Sequence, residues 1–239
     1  TPKPSSAASD VYKRQHYDSV SSYENDQLTY TPGADDNASG VAGLLELARL
    51  LQQQAPKTGV QLVAYASEEP PFFRSDEMGS AVHAASLERP VRLMIALEMI
   101  GYYDSAPGSQ DYPYPAMSWL YPDRGDFIAV VGRMQDINAV RQVKAALLSS
   151  RDLSVYSMNA PGFIPGIDFS DHLNYWQHDI PAVMITDTAF YRNKQYHLPG
   201  DTADRLNYQK MAQVVDGVIT LLYNSKSVSY THLTLPTKA

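Results

Sequence analysis

Short β-favouring runs in this chain end on carboxylates, and that pairing narrows the folds open to it. "VQLVAYAS" at residues 60–67 runs into Glu68 and Glu69, "VRLMIAL" at 91–97 runs into Glu98, and "IPAVMITDT" at 180–188 carries Asp187 near its end. Short, nearly continuous apolar runs of this kind suit strands covered on both faces. "FIAVVG" at 127–132 reads as a further strand. Between the runs lie stretches with helical spacing. Val41, Leu44, Leu45, Ala48 and Leu51 recur behind "PGADDNASG", residues 80–87 and 137–148 read as helices, and Met211, Val214, Val215, Val218 and Leu222 mark a closing helix. Strands alternating with helices predict an α/β fold, a three-layer α/β/α arrangement with a central mixed, mostly parallel β-sheet flanked by helices. In such sheets ligands bind beyond the carboxyl ends of strands, where these acids fall.

The chain has 239 residues, 44% of them hydrophobic, which is enough for one large domain. It carries 19 Lys+Arg against 26 Asp+Glu, a net charge of -7, with no basic cluster to track a phosphate backbone, so nucleic acid is not an expected partner. No apolar run reaches the ~18 residues that a membrane span needs. The absence of cysteine removes disulfides and thiolate ligands and leaves the compartment open. "SSAASDVYKRQ" at 5–15 and "SVSYTHLTLPTKA" at 227–239 are polar and non-periodic, and they resemble translated sequencing-adapter read-through. Residues 1–15 are therefore expected to form a non-native or disordered leader, 16–226 the folded domain, and 227–239 a non-native or disordered tail. Residues 102–126 make a longer loop than structureless connections usually allow, which favours a binding rim.

Asp36, Glu68, Glu69 and Glu98, if gathered, would raise one another's pKa or demand a cation. Oxygen and imidazole ligands without thiolate suit zinc, with manganese or cobalt also fitting, in a site that keeps a position open for water. Each segment alone has an ordinary reading: "ADDNASG" as a helix-capping loop, "EE" as a solvated strand end, "YHLPGDT" as a turn. Their order and spacing together favour the metal site.

Taken in order, "HYDS", "PGADDNASG", "ASEE", "LEMIG", "SDH" and "YHLPGDT" resemble the co-catalytic zinc aminopeptidases of the bacterial leucyl type, whose superfamily also includes the glutaminyl cyclases. The resemblance implies that 16–226 is a metallopeptidase catalytic domain holding two Zn2+ ions. It implies His16 and Glu98 on one ion, Glu69 and His197 on the other, Asp36 bridging both, and Asp18 behind His16 fixing its ring. Glu68 is then the general base of a metal-assisted peptide hydrolysis. The resemblance also implies a cis peptide bond at Asp36-Asn37, a peptide or aminoacyl substrate, a monomer, and a secreted or periplasmic protein whose leader would precede this chain. Glu98 stands where these aminopeptidases usually carry aspartate. "PPFFRSDEMGS" reads as an insertion forming a pocket wall or lid, with Phe72 and Phe73 as apolar contacts, and Asp171 and His172 read as structural support. A single-zinc acyltransferase like the glutaminyl cyclases, a non-catalytic binding domain on the same fold, and a carboxypeptidase of the superfamily are the rival expectations.

Overall fold

The computed structural model describes residues 10–16, 18–19, 21–24 and 27–224. Its centre is a sheet of order β4-β1-β5-β8-β6-β7, built from β1 (Asp10–His16), β4 (Val60–Tyr65), β5 (Val91–Glu98), β6 (Phe127–Gly132), β7 (Ser154–Asn159) and β8 (Ala182–Thr186). β2 (Ser21–Glu24) and β3 (Gln27–Tyr30) pair antiparallel as a separate ribbon. Neighbours in the main sheet are parallel except β6 and β8, so β6 and β7 run against the rest. The sheet is mixed and mostly parallel, as its short buried runs imply.

Alternate residues along the central strands feed two cores. Leu93, Ile95 and Leu97 of β5, with Val183 and Ile185 of β8, face α1 (Gly40–Gln53), α3 (Ile137–Leu147) and α5 (Tyr208–Asn224). Met94 and Ala96, with Ala182 and Met184, face α2 (Gly79–Ala85) and α4 (His172–Trp176) on the other side. This period-two division makes the sheet the middle of three layers. Met211, Val214, Val215, Val218 and Leu222 are all buried on α5 as the sequence spacing predicts. Among the described residues, no helix is long and apolar enough to cross a membrane.

Two expectations need correction here. The boundary expected at residue 16 falls at the end of a strand rather than before one: Asp10–His16 pair with β4 on one side and β5 on the other, so residues 10–15 complete the sheet. Backbone hydrogen bonding drives that placement, which the polar run "DVYKRQ" does not advertise. The tail at 227–239 lies outside the described residues. Leu45, assigned to the buried stripe of α1, is 65% exposed, while Gly40, Gly43, Leu44 and Leu47 are buried. Gly40 and Gly43 let α1 approach the end of β5 closely, at Leu97 and Ile100.

From β1 the chain passes to β4 on one side and then to β5 on the other, so strand order reverses at β1. A crevice opens beyond the carboxyl ends of strands at such a reversal. β6 is antiparallel to β8, so its start lies at the same edge where β5 ends. The connection 102–126 therefore sits on the rim of that crevice.

Candidate metal centre

The crevice is supplied by loops that leave those strand ends. After β4, Ser67 turns into the left-handed region (φ 62) and Glu68 and Glu69 follow, both buried; after Glu98 at the end of β5, Met99 turns the same way (φ 51). Left-handed residues without glycine are uncommon and gather where surrounding structure enforces them. They redirect the chain so that adjacent carboxylates need not point the same way.

Asp36 arrives from the turn Ala34–Ser39, which leaves helical geometry at Asp36 (φ -104, ψ 88) and Asn37 before α1 begins. The Asp36-Asn37 peptide bond is cis, as the resemblance implies. Two anchors hold this turn. The Asp201 carboxylate accepts from the backbone N–H of Asp36 (3.0 Å) and of Asp35 (3.1 Å). Asn37 donates to Leu97 O (3.0 Å) and Glu98 Oε2 (3.4 Å) and accepts from Met99 N–H (3.0 Å), which ties the turn to the end of β5. Gly40 makes that junction possible. A Cβ there would lie 2.4 Å from Leu97 O and 2.5 Å from Asn37 Oδ1. Gly40→Ala is therefore expected to destabilise the fold by about 1–3 kcal/mol through overpacking, and to weaken metal binding by displacing Asn37. Thermal melts with and without zinc would check both effects.

Asp36, Glu69 and His197 converge: one ligand atom from each lies within 4.8 Å of the others. His197 Nε2 is 2.9 Å from Asp36 Oδ2 and 3.4 Å from Glu69 Oε2. Two buried carboxylates converging on one imidazole nitrogen gather negative charge that a shared cation would offset. The donor set, two carboxylates and an imidazole, suits zinc and leaves a coordination position open. Burial lowers the His197 pKa, but the nearness of Asp36 and Glu69 outweighs it and pushes the value up to about 9.

Glu68 and Glu98 line the same pocket as these three residues, with Tyr196 beside them. Glu98 Oε2 accepts from Ser170 Oγ at 2.7 Å. The carboxylate of Asp18 accepts from Glu69 N–H at 3.2 Å. His16 closes β1 at the same edge; its side chain, and hence its expected ligand role, lies outside the described residues.

Sequence reasoning missed several supports. Tyr196 stacks on His197 with ring centroids 3.7 Å apart and planes 20° apart, which fixes the imidazole's tilt. Burial, with Asp36, Glu69, Glu98 and Glu68 nearby, pushes the Tyr196 phenol pKa far up, so its hydroxyl stays protonated. Only its position before His197 could have signalled it. Behind the turn, Asp35 and Asp187 form a buried pair. Burial raises both, Asp35 to about 6, and a side-chain hydrogen bond joins them. Asp187 also accepts from Tyr102 N–H and Ala189 N–H, so this strand-end acid braces loops instead of facing the crevice.

His172 is fully buried and is not among the residues that line the metal pocket. Its Nε2 donates to Ile167 O at 2.8 Å and its ring meets Trp176 edge-on at 4.5 Å. Burial lowers its pKa from 6.5 to about 4. The unfolded chain thus binds this proton more tightly, so the stability held above pH 6.5 is lost as pH falls toward 4. The loss amounts to about 3 kcal/mol. His172→Gln, compared with the parent by urea unfolding across pH 7 to 4, is expected to show a flatter decline.

Beyond Glu98 and Phe169 lies a second, strongly apolar pocket walled by Met117 and Tyr121 from the 102–126 loop and by Tyr156 and Met184. The loop is a rim, as its length suggests. Phe73 lines the metal pocket, whereas Phe72 is 39% exposed and is not among its lining residues, so only one of the two expected phenylalanine contacts is made.

The family model for peptidase family M28 matches residues 3–222. The chain belongs to peptidase family M28. It is 96% identical over 211 residues to YfbL of Escherichia coli (strain K12), a match covering 88% of this chain and 65% of YfbL. A probable aminopeptidase of Saccharomyces cerevisiae, YDR415C, is 28% identical over 203 residues, covering 79% of this chain and 46% of that protein. The fold matches the Legionella pneumophila LapA aminopeptidase with a TM-score of 0.66 at 21% identity, over 90% of this chain and 51% of that one. It also matches a Bacteroides thetaiotaomicron glutaminyl cyclase with a TM-score of 0.64 at 20% identity, over 91% and 73%. This M28 chain thus spans from about half to two thirds of the length of these relatives, apart from the cyclase.

Proposed function

We propose that the chain is a zinc-dependent exopeptidase of the aminopeptidase type, which hydrolyses the first peptide bond of a substrate with a free amino terminus. The observation that carries this reading is the convergence of Asp36, Glu69 and His197 within 4.8 Å at the carboxyl edge of the sheet. Asp36 and Glu69 with His197 would hold one ion; Asp36, shared, would hold a second with His16 and Glu98, and Asp18 would orient His16. Bound zinc supplies a Lewis acid that polarises a carbonyl and lowers the pKa of water toward ~7.

The protein's own groups do the rest. Glu68 is buried in the same pocket, so its carboxylate can take a proton from the attacking water and return it to the leaving amine. The protonated phenol of Tyr196 stands in that pocket as a hydrogen-bond donor. The surrounding carboxylates favour a substrate's free ammonium group over a blocked one. The M28 family and the aminopeptidase names among its similar proteins support this reading.

The test is to offer the zinc-loaded chain one peptide in free and in N-acetylated form. Cleavage of the free peptide alone supports the proposal, and equal cleavage of both defeats it. A second reading, a single-zinc acyltransferase, is favoured by the gathering of three donors among the described residues and by the fold match to a glutaminyl cyclase. Cyclisation of an N-terminal glutamine peptide with one bound ion would select it.

A further inference from the structure

The segment after Glu69 is pinned to the wall of the metal pocket. Phe72 N–H donates to Glu69 O (3.0 Å), Ser75 N–H to Phe72 O (2.9 Å), and Gly79 N–H to Ala66 O (2.9 Å), while Arg74 N–H meets Met78 Sδ at 3.0 Å. These turns aim Phe73 across the pocket at Phe169, ring centroids 5.9 Å apart and planes at 76°. Arg74 lies 5.4 Å from the centroid of each ring, and its guanidinium is paired with Asp168, the residue before Phe169. One cation thus joins the two walls, through both rings and through an ion pair.

Phe169 and Glu98 border both pockets, whereas Phe73 and Pro70 border the metal pocket alone. A substrate that places its first side chain in the apolar pocket beyond Glu98 leaves the part of the metal pocket that the apolar pocket does not share to meet its second residue. That part of the wall includes Pro70 and Phe73. The positive charge of Arg74 is already met by Asp168, so the wall offers aromatic surface and no anion site.

We infer that Phe73, held against Phe169 by the Arg74–Asp168 clasp, forms the subsite for the side chain that follows the scissile bond and selects an aromatic or large apolar residue there. This rests on the exopeptidase reading above. Arg74 is a positioning residue: its side chain is 49% exposed, so the ion pair adds little to stability and its loss frees Phe73 without unfolding the chain.

The experiment measures binding to the zinc-loaded chain of two non-hydrolysable reduced-bond dipeptide amides, leucyl-phenylalanine and leucyl-glycine, by calorimetry. The parent is expected to bind the phenylalanine probe about tenfold more tightly. Phe73→Ala should bring that ratio close to unity, and Arg74→Met should lower it about threefold, with Arg74→Lys between parent and Arg74→Met because the planar stack is lost. Phe72→Ala, one residue away and outside the pocket, should keep the parent ratio. Equal binding of the probes by the parent, binding of neither, or a ratio that survives Phe73→Ala would overturn the inference. If Phe73→Ala does not fold, a ratio unchanged in Arg74→Met overturns it. Hydrolysis of leucinamide, which has no second side chain, reads the exopeptidase proposal separately. Turnover with a flat probe ratio defeats the clasp alone, and an intact ratio without turnover defeats the peptidase reading and leaves Phe73 as a side-chain binding wall with no scissile bond beside it.

Discussion

Glu68→Gln is expected to keep its bound zinc while hydrolysis of leucyl p-nitroanilide falls by about 10²–10⁴-fold. The amide preserves the shape of a side chain that is 6% exposed and lines the metal pocket, so folding should be little changed. It cannot accept a proton, so the loss should lie in kcat, with KM nearly constant. An equal loss of zinc and activity would instead make Glu68 a ligand and move the base elsewhere.

Asp36→Asn is expected to weaken zinc binding by more than about 100-fold, since loss of a mere supporting group typically costs 10–100-fold. Its carboxylate sits 2.9 Å from His197 Nε2 and lies in the gathered group with Glu69. Asparagine keeps the size and one oxygen, and so separates loss of charge from loss of packing. Activity should fall at limiting zinc and recover in part with excess metal. Asp201→Asn should act more mildly, because Asp201 holds the backbone N–H groups of Asp35 and Asp36 and does not join the ligand group. The ordering of the two variants in a zinc titration checks the division of labour.

What the sequence revealed depended on whether a residue's role follows from its own segment. β5 and β6 were legible because parallel or central strands buried on both faces read as apolar runs. α5 was legible from its stripe. β7 (Ser154–Asn159) lies at the sheet edge and mixes polar residues, and α4 is five residues long, so neither produces a period to read. β1 is polar, and its place is fixed by partners far along the chain. At the site, acids at strand ends were visible as a pattern. Asn37 and Ser170 were not, because each acts across the fold: Ser170 reaches Glu98 over 72 positions, and Asn37 reaches Leu97 over 60. Tyr196 was not, because a tyrosine beside a histidine carries no period or motif that announces a stacked ring. Phe72 and Phe73 are chemically identical neighbours, and only the turns that follow Glu69 decide which one faces the metal pocket.

The most direct measurement is a zinc titration of the metal-free chain in which bound metal and leucinamide hydrolysis are followed together. Hydrolysis should be absent without metal, rise with bound zinc and saturate near two ions per chain, and the chain with Asp36, Glu69 and His197 all replaced by alanine should neither bind zinc nor turn over substrate. Full hydrolysis by the metal-free chain, or zinc held equally well by the triple variant, would contradict it.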